Sequence, residues 1–464
     1  MADDQARLYS LIVRSTPEQV LLERMRLHGF WPPDEGLPPE PADQAAERAR
    51  IEAELATLQQ QLDDPNYRQA LEAERRRRWE ESKARRAARK LQRQQQADAC
   101  READRQRRAS SIVHAGPGVS AGLHQHSGDP AKLAELGLPL VQTPAELAAA
   151  MKLSLPKLRW LTFHRRGATL VHYHRYEISK KTGGVRCISA PKPALAAAQR
   201  WVLEEILAKL PVAAVAHGFV PGRSILSNAQ AHLGRAVVLN LDLRDFFPSI
   251  TWRRVKGIFR RRGYSESVAV LLALLCTEPP RLPTELDGKL YYVALSERIL
   301  PQGACTSPAI TNLLCRRLDA RLAGLASRHG YTYTRYADDL TFSGDHTAAI
   351  GRLLRSVRSI VQAEGLTEHP RKTKIMRRSR RQEVTGVTVN VAPGLARREL
   401  RQLRAILHNA ATKPGGLAAQ NRQHHPNFAA HLRGRIAFLH MLSPKKAQPL
   451  RAALQAILQN ESSH

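Results

Sequence analysis

The stretch YTYTRYADDLTFSG, residues 331–344, alternates aromatic and β-branched residues on either side of Asp338 and Asp339. Alternation of that kind predicts a β-hairpin with the paired carboxylates at its tip. Upstream, AVVLNLDLRDFFPSI, residues 236–250, starts as an apolar, β-branched strand and delivers Asp242 near its end. A carboxylate among so many apolar neighbours is costly unless a cation or hydrogen bonds compensate it. Carboxylates on adjacent strands can hold two Mg²⁺ ions roughly 3.5 to 4 Å apart, the arrangement that supports in-line attack of a hydroxyl on a nucleotide α-phosphate. Asp242, Asp338 and Asp339 are therefore the candidate catalytic and metal-binding triad. The bland alternative, solvated turn acids at 338 and 339 and a strand-end acid at 242, explains either segment alone better than both together.

Other motifs flank this pair in a fixed order. EISKKTGGVRCISAPKPALAAAQRWV (177–202) reads as a hairpin with glycines in its turn and lysines at its tip, running into an amphipathic helix. LPQGACTSPAITN (300–312) is rich in small residues that let a backbone or base approach closely, and HPRKTKIMRRSRRQEV (369–384) is basic. Together with YADD and LDLRDFF these strings resemble the reverse transcriptases over about residues 137–455. NAQAH (228–232) and VTG (384–386) resemble the bacterial retron subgroup more narrowly.

The resemblance implies an α+β right-hand polymerase with fingers, palm and helical thumb, acting as an RNA-directed DNA polymerase with Mg²⁺ and dNTPs. It makes Arg186 the arginine that meets the triphosphate, with Lys180 or Lys181 as helper. Phe247 would lie under the incoming sugar, where a ribose 2′-hydroxyl would clash with it. Gln302 and Gly303 would contact the incoming nucleotide or the template base. Lys372, in the KT segment, would touch a phosphate or protonate departing pyrophosphate, and Lys374 is equally placed. Asn228, His232, Val384, Thr385 and Gly386 become candidate RNA-recognition residues, against a plainer role for Asn228 and His232 as a helix cap and a satisfied histidine.

At the level of partners, the resemblance implies a cognate structured retron RNA, a branched RNA-linked DNA product (msDNA) started at a guanosine 2′-hydroxyl, a possible effector from the same locus and a role in defence against phage. Another bacterial reverse transcriptase class, of group II intron or diversity-generating type, is the alternative among enzymes. A scaffold that holds RNA and restrains an effector is the alternative outside them, although a scaffold has no need of three carboxylates beside a polyanion.

Composition agrees with a polyphosphate partner: the formal net charge is +30 and the pI about 10.7. No apolar run approaches a membrane span, and MADDQARLYS has neither a basic head nor an apolar signal core, which predicts a cytoplasmic protein with no membrane partner. The five cysteines are scattered without CxxC spacing, so neither zinc nor a disulfide framework is indicated. Between Pro41 and Arg108 there is no glycine and only Pro65 interrupts, which predicts long exposed helices. Ile51, Leu55, Leu58 and Leu62 form a short stripe there, and the basic run 74–108 is either a solvated face or a phosphate-binding one. The organisation expected is a charged helical extension over 1–115, a linker over 116–136, fingers and palm over 137–383 and thumb over 384–464.

Overall fold

The computed structural model describes residues 16–36, 41–179 and 183–462 of the 464 in the chain. Lys180 and Lys181 thus lie outside the described residues. The chain forms two compact units, Met1–Glu102 and Ala103–His464.

The N-terminal unit contains the helices Pro17–Leu27 and Ala42–Asp63, and most of the helix Pro65–Ser110. Thr16 and Gln19 close a capping box on the first. Pro65 separates the second from the third, because a residue before proline is driven out of the helical region and Asp64 takes extended backbone. No residue of Ala42–Asp63 is buried, and the stripe Ile51, Leu55, Leu58, Leu62 is exposed.

In the second unit the strands, in chain order, are β1 (Gly167–Ala168), β2 (Tyr173–Ser179), β3 (Val185–Pro191), β4 (Val237–Asp242), β5 (Arg281–Leu286), β6 (Lys289–Ala294), β7 (Tyr331–Tyr336), β8 (Asp339–Gly344), β9 (Lys374–Arg377), β10 (Glu383–Val384) and β11 (Val387–Thr388). The palm is a four-stranded antiparallel sheet in the order β7-β8-β4-β9. Successive side chains alternate between its faces. Val237, Leu239, Leu241, Tyr331, Tyr333, Leu340 and Phe342 join the helices Arg316–Arg328 and Ile350–Ala363 in one apolar cluster. By the same parity Asp242, Asn240, Asp339, Thr341 and Ser343 belong to the opposite face.

A larger core surrounds the helix Glu266–Cys276, which is buried nearly all round. At 11 residues it is about 16 Å long, far short of a bilayer core. Among the described residues no helix is long and apolar enough to cross a membrane. The β2–β3 hairpin forms the fingers. The helices Arg397–Thr412, Gly416–Gln420, Phe428–Leu442 and Pro444–Ser462 make a thumb with its own apolar cluster. This is the α+β right-hand polymerase architecture. Thr143 caps the helix Pro144–Ala150 by accepting from Glu146 N.

One expectation requires correction. Residues 116–136 are not slack: Val119, Leu123 and Leu133 are buried in the larger core, and a Cβ on Gly116 would meet His164 O at 2.0 Å. Glycine-rich composition serves tight backbone packing as well as linkers, and burial decides which. VTGVTVN (384–390) contains a hairpin in which Thr385 and Gly386 form the turn between β10 and β11 with φ of 46° and 82°. Two consecutive positive-φ residues are what the tightest hairpin turns require.

Candidate active site

Strand register brings the acids together. Asp242 ends β4 directly opposite Asp339, the first residue of β8, and Tyr336 faces Asp339 across the hairpin. Ala337 and Asp338 form the turn, Ala337 with φ of 55°, a backbone conformation that costs an L-residue about 1–2 kcal/mol. The turn is held from behind. Arg335 is fully buried on the apolar face, donates to both carboxylate oxygens of Asp319 at 2.8 Å, and donates to Asn312 Oδ1 at 2.9 Å and Ala337 O at 3.2 Å. Asn312 donates in turn to Gly218 O at 3.0 Å, and a Cβ on Gly218 would meet Ala337 N at 2.6 Å. This clamp was not anticipated. The available signal was an arginine at the parity of Tyr331 and Tyr333, since a charge on an apolar face demands a buried counter-charge.

Neither Asp338 nor Asp339 is a solvated turn acid; both are half-buried. Burial first, then the charges of Asp338 and Asp242, pushes the Asp339 carboxyl up to about 7. Burial also raises Asp338, with Asp242 adding to the effect and Lys372 and Arg186 opposing it. Asp242 Oδ2 lies 2.8 Å from Lys372 Nζ, and His369 N donates to Asp242 O at 2.8 Å. Among the described residues no three His, Cys, Asp or Glu side chains are gathered closely enough to hold a metal ion as they stand. The acids are placed by register, with an ammonium on one of them. Asp338 and Asp339, whose proton affinity burial and neighbouring carboxylate charge raise, nevertheless form with Asp242 a set of hard oxygen donors suited to a divalent cation.

The other sequence-predicted positions distribute around this centre. Arg186 pairs with Ile178 across the fingers hairpin and its charge reaches Asp338. Phe247 is half-buried, packed on the larger core and 5.7 Å from Phe246 between ring centroids. Gln302 O accepts from Ser189 N at 2.7 Å, and a Cβ on Gly303 would meet Ser189 O at 2.8 Å. Gly303 is therefore needed for the fingers strand β3 to lie against this turn, whatever else it touches. Lys372 reaches Asp242, while the charge of Lys374 reaches Asp339.

The family model described as "Reverse transcriptase (RNA-dependent DNA polymerase)" matches residues 178–389. The chain is 48% identical over 335 residues to the Retron Mx162 reverse transcriptase of Myxococcus xanthus, spanning 68% of this chain and 67% of that protein. Identity to the Retron Mx65 reverse transcriptase of the same organism is 48% over 322 residues, spanning 69% and 73% respectively. The Retron Ec86 reverse transcriptase of Escherichia coli is 34% identical over 281 residues, 60% of this chain and 81% of that protein.

This chain belongs to the retron reverse transcriptases. It is an RNA-directed DNA polymerase of retron type, a chemistry that requires a divalent metal.

In this reverse transcriptase the retron-like strings form one hydrogen-bonded unit on the polar face of the palm. Asn228 and His232 are fully buried. Thr334 gives its hydroxyl proton to Asn228 Oδ1 at 2.6 Å, so His232 Nε2, 2.7 Å from Thr334 Oγ1, is the donor there. Nδ1 then accepts from Ser343 Oγ at 2.7 Å. Burial, ahead of the nearby His217 and Arg235 charges, holds the His232 imidazole down to about 3, consistent with a neutral ring. Asn228 Nδ2 lies 3.5 Å from Thr385 Oγ1, and Val384 is buried against Ala229 and Val238. Direct RNA contact by the side chains of Asn228, His232 and Val384 is therefore excluded in this conformation, and their expected role is corrected to support. Thr385 is half-buried and Gly386 exposed, so the turn residues alone of this set can meet a ligand.

Proposed function

We propose that this reverse transcriptase copies part of a cognate structured RNA into single-stranded DNA that remains joined to the RNA, starting from a guanosine 2′-hydroxyl, and that two Mg²⁺ ions held by Asp242, Asp338 and Asp339 serve the transfer. The observation that supports the polymerase chemistry best is the register that sets Asp242 opposite Asp339 beside the Asp338 turn. Bound Mg²⁺ would lower the pKa of the attacking hydroxyl and stabilise charge on pyrophosphate. For the chain's own part, Arg186 orients the triphosphate, Phe247 excludes a ribose 2′-hydroxyl, and Gln302 with Gly303 shapes the nucleotide floor. Lys372 neutralises Asp242 until substrate arrives and then turns to a phosphate oxygen.

The retron-specific part rests on the buried Asn228–His232–Thr334 unit, which meets the Thr385-Gly386 turn through Asn228 Nδ2, 3.5 Å from Thr385 Oγ1. An effector from the same locus, a role in phage defence and a cytoplasmic location complete the reading. Expressing the protein with its flanking DNA, then treating extracted nucleic acid with RNase and a debranching enzyme, tests it. A discrete DNA that shifts on debranching and is absent from Asp338→Asn, with RNA binding retained in that variant, is the expected result. Unbranched DNA would assign the enzyme another mode of priming, and DNA made at the normal rate by Asp338→Asn would overturn the triad.

A further inference from the structure

A cavity of about 400 Å³ opens among the helix Leu155–Thr162, the start of β2 and the segment joining the helix Glu266–Cys276 to β5. It shares no residue with the active site. Its aromatic wall includes Trp160, Phe163 and His172. Trp160 and Leu170 at its mouth are 41% and 53% exposed, so large apolar side chains stand in water beside an open cleft. His172 meets Trp160 edge-on with ring centroids 4.3 Å apart, and its Nε2 donates to Trp160 O at 3.0 Å, fixing the ring. Burial, aided by the Arg298 charge and then Lys192 and Lys157, lowers the affinity of His172 for a proton and favours the neutral imidazole.

The charge of this cavity is one-sided. Arg159, Arg165, Arg281 and Arg298 line it together with a single carboxylate, Glu278, which is buried and already paired with Arg175 at 2.8 Å. Arg281 donates to Tyr292 O and Arg165 O, each at 2.8 Å, and Arg298 donates to Leu274 O at 2.6 Å. These carbonyl partners satisfy donors without cancelling charge. Lys157 Nζ lies over the Trp160 ring at 4.1 Å and Arg165 over Phe163 at 5.2 Å. Exposed contacts of that kind are weaker than the stacking of a nucleobase on an indole, so a base can displace them while the freed cations turn to its phosphate.

Rings beside surplus cations, in a space that accepts a purine or pyrimidine, match the chemistry of an unpaired nucleotide. We propose that this cavity captures one unpaired nucleotide of single-stranded nucleic acid, its base against Trp160 and His172 and its phosphate on Arg165 and Lys157. The cavity thus gives the polymerase a second grip on a strand, away from the site of synthesis.

The test uses full-length protein carrying Asp338→Asn, so that capture is read without synthesis and independently of how synthesis is primed. Short unstructured RNA and DNA oligonucleotides containing a 4-thio-pyrimidine are photocrosslinked, and the adducts are mapped on the chain. Adducts are expected within residues 155–175, reduced roughly ten-fold by Trp160→Ala, retained by Trp160→Phe and reduced several-fold by Arg165→Gln. Trp160 is partly exposed and Arg165 exposed, so both changes spare the core, and the phenylalanine variant separates the effect of stacking from that of misfolding. Labelling with RNA alone makes the occupant the RNA, labelling with DNA alone makes it the product strand, and labelling with both makes the site indifferent to the sugar; each supports capture. Equal labelling of this segment in wild type and Trp160→Ala, or adducts confined to other segments, would overturn it.

Discussion

Asp339 shows how one residue couples fold to chemistry. Its folded carboxyl holds a proton up to about pH 7, against an ordinary value of 3.8, because burial and two neighbouring acids oppose its charge. Between those values the metal-free folded state binds more protons than the unfolded chain, so this group's contribution to stability declines as pH rises through the window. In chelator, wild-type melting temperature is expected to fall relative to Asp339→Asn from about pH 4 to pH 7. Divalent cation should narrow that gap, and parallel profiles for the two proteins would reject the assignment. Phe247 makes a separate prediction. Shortening it to alanine should raise incorporation of ribonucleotides relative to deoxyribonucleotides by at least about ten-fold, since about 1.4 kcal/mol of steric discrimination corresponds to that factor. Single-nucleotide kinetics with matched dNTP and rNTP would check this; unchanged discrimination would return Phe247 to core packing.

The β7–β8 hairpin shows what an element needs beyond its own pattern. Alternation made its strands legible, because a half-buried sheet demands period two. The positive φ of Ala337 was not legible, since nothing in Tyr-Ala-Asp-Asp asks for a left-handed alanine; the clamp from Arg335 and Gly218 holds it. Arg335→Met would leave Asp319 buried without its counter-charge and should cost about 3–5 kcal/mol in urea unfolding. A loss below about 1 kcal/mol would mean the pair is dispensable. The same limit applied to NAQAH and VTG. Their side chains were visible as chemistry, but burial turned Asn228 and His232 from candidate contacts into supports for a turn 157 and 153 residues away in sequence.

Across the whole molecule, charge is the property most exposed to test. The run Arg75–Arg78 lies on an exposed helix where Arg77 and Arg78 approach Glu74 at 4.0 and 2.7 Å. Exposed pairs of this kind contribute little and exchange readily for phosphate. Replacing the four arginines by glutamine should lower the slope of log affinity against log salt for RNA by roughly 0.7 to 0.9 for each phosphate that is no longer neutralised. An unchanged slope would make the run a solvated face.

The chain's sequence alone determined the polymerase motifs, their order, the strong net positive charge and the helical extension, because periodicity, charge and residue chemistry are local properties. Tertiary structure decided the rest. It set Asp242 across from Asp339, buried the glycine-rich segment 116–136 in the core, folded Thr385-Gly386 into a turn and opened the cavity beside Trp160. Each of these depends on which distant residues share a space, and strand register, desolvation and close packing act between segments far apart in the chain.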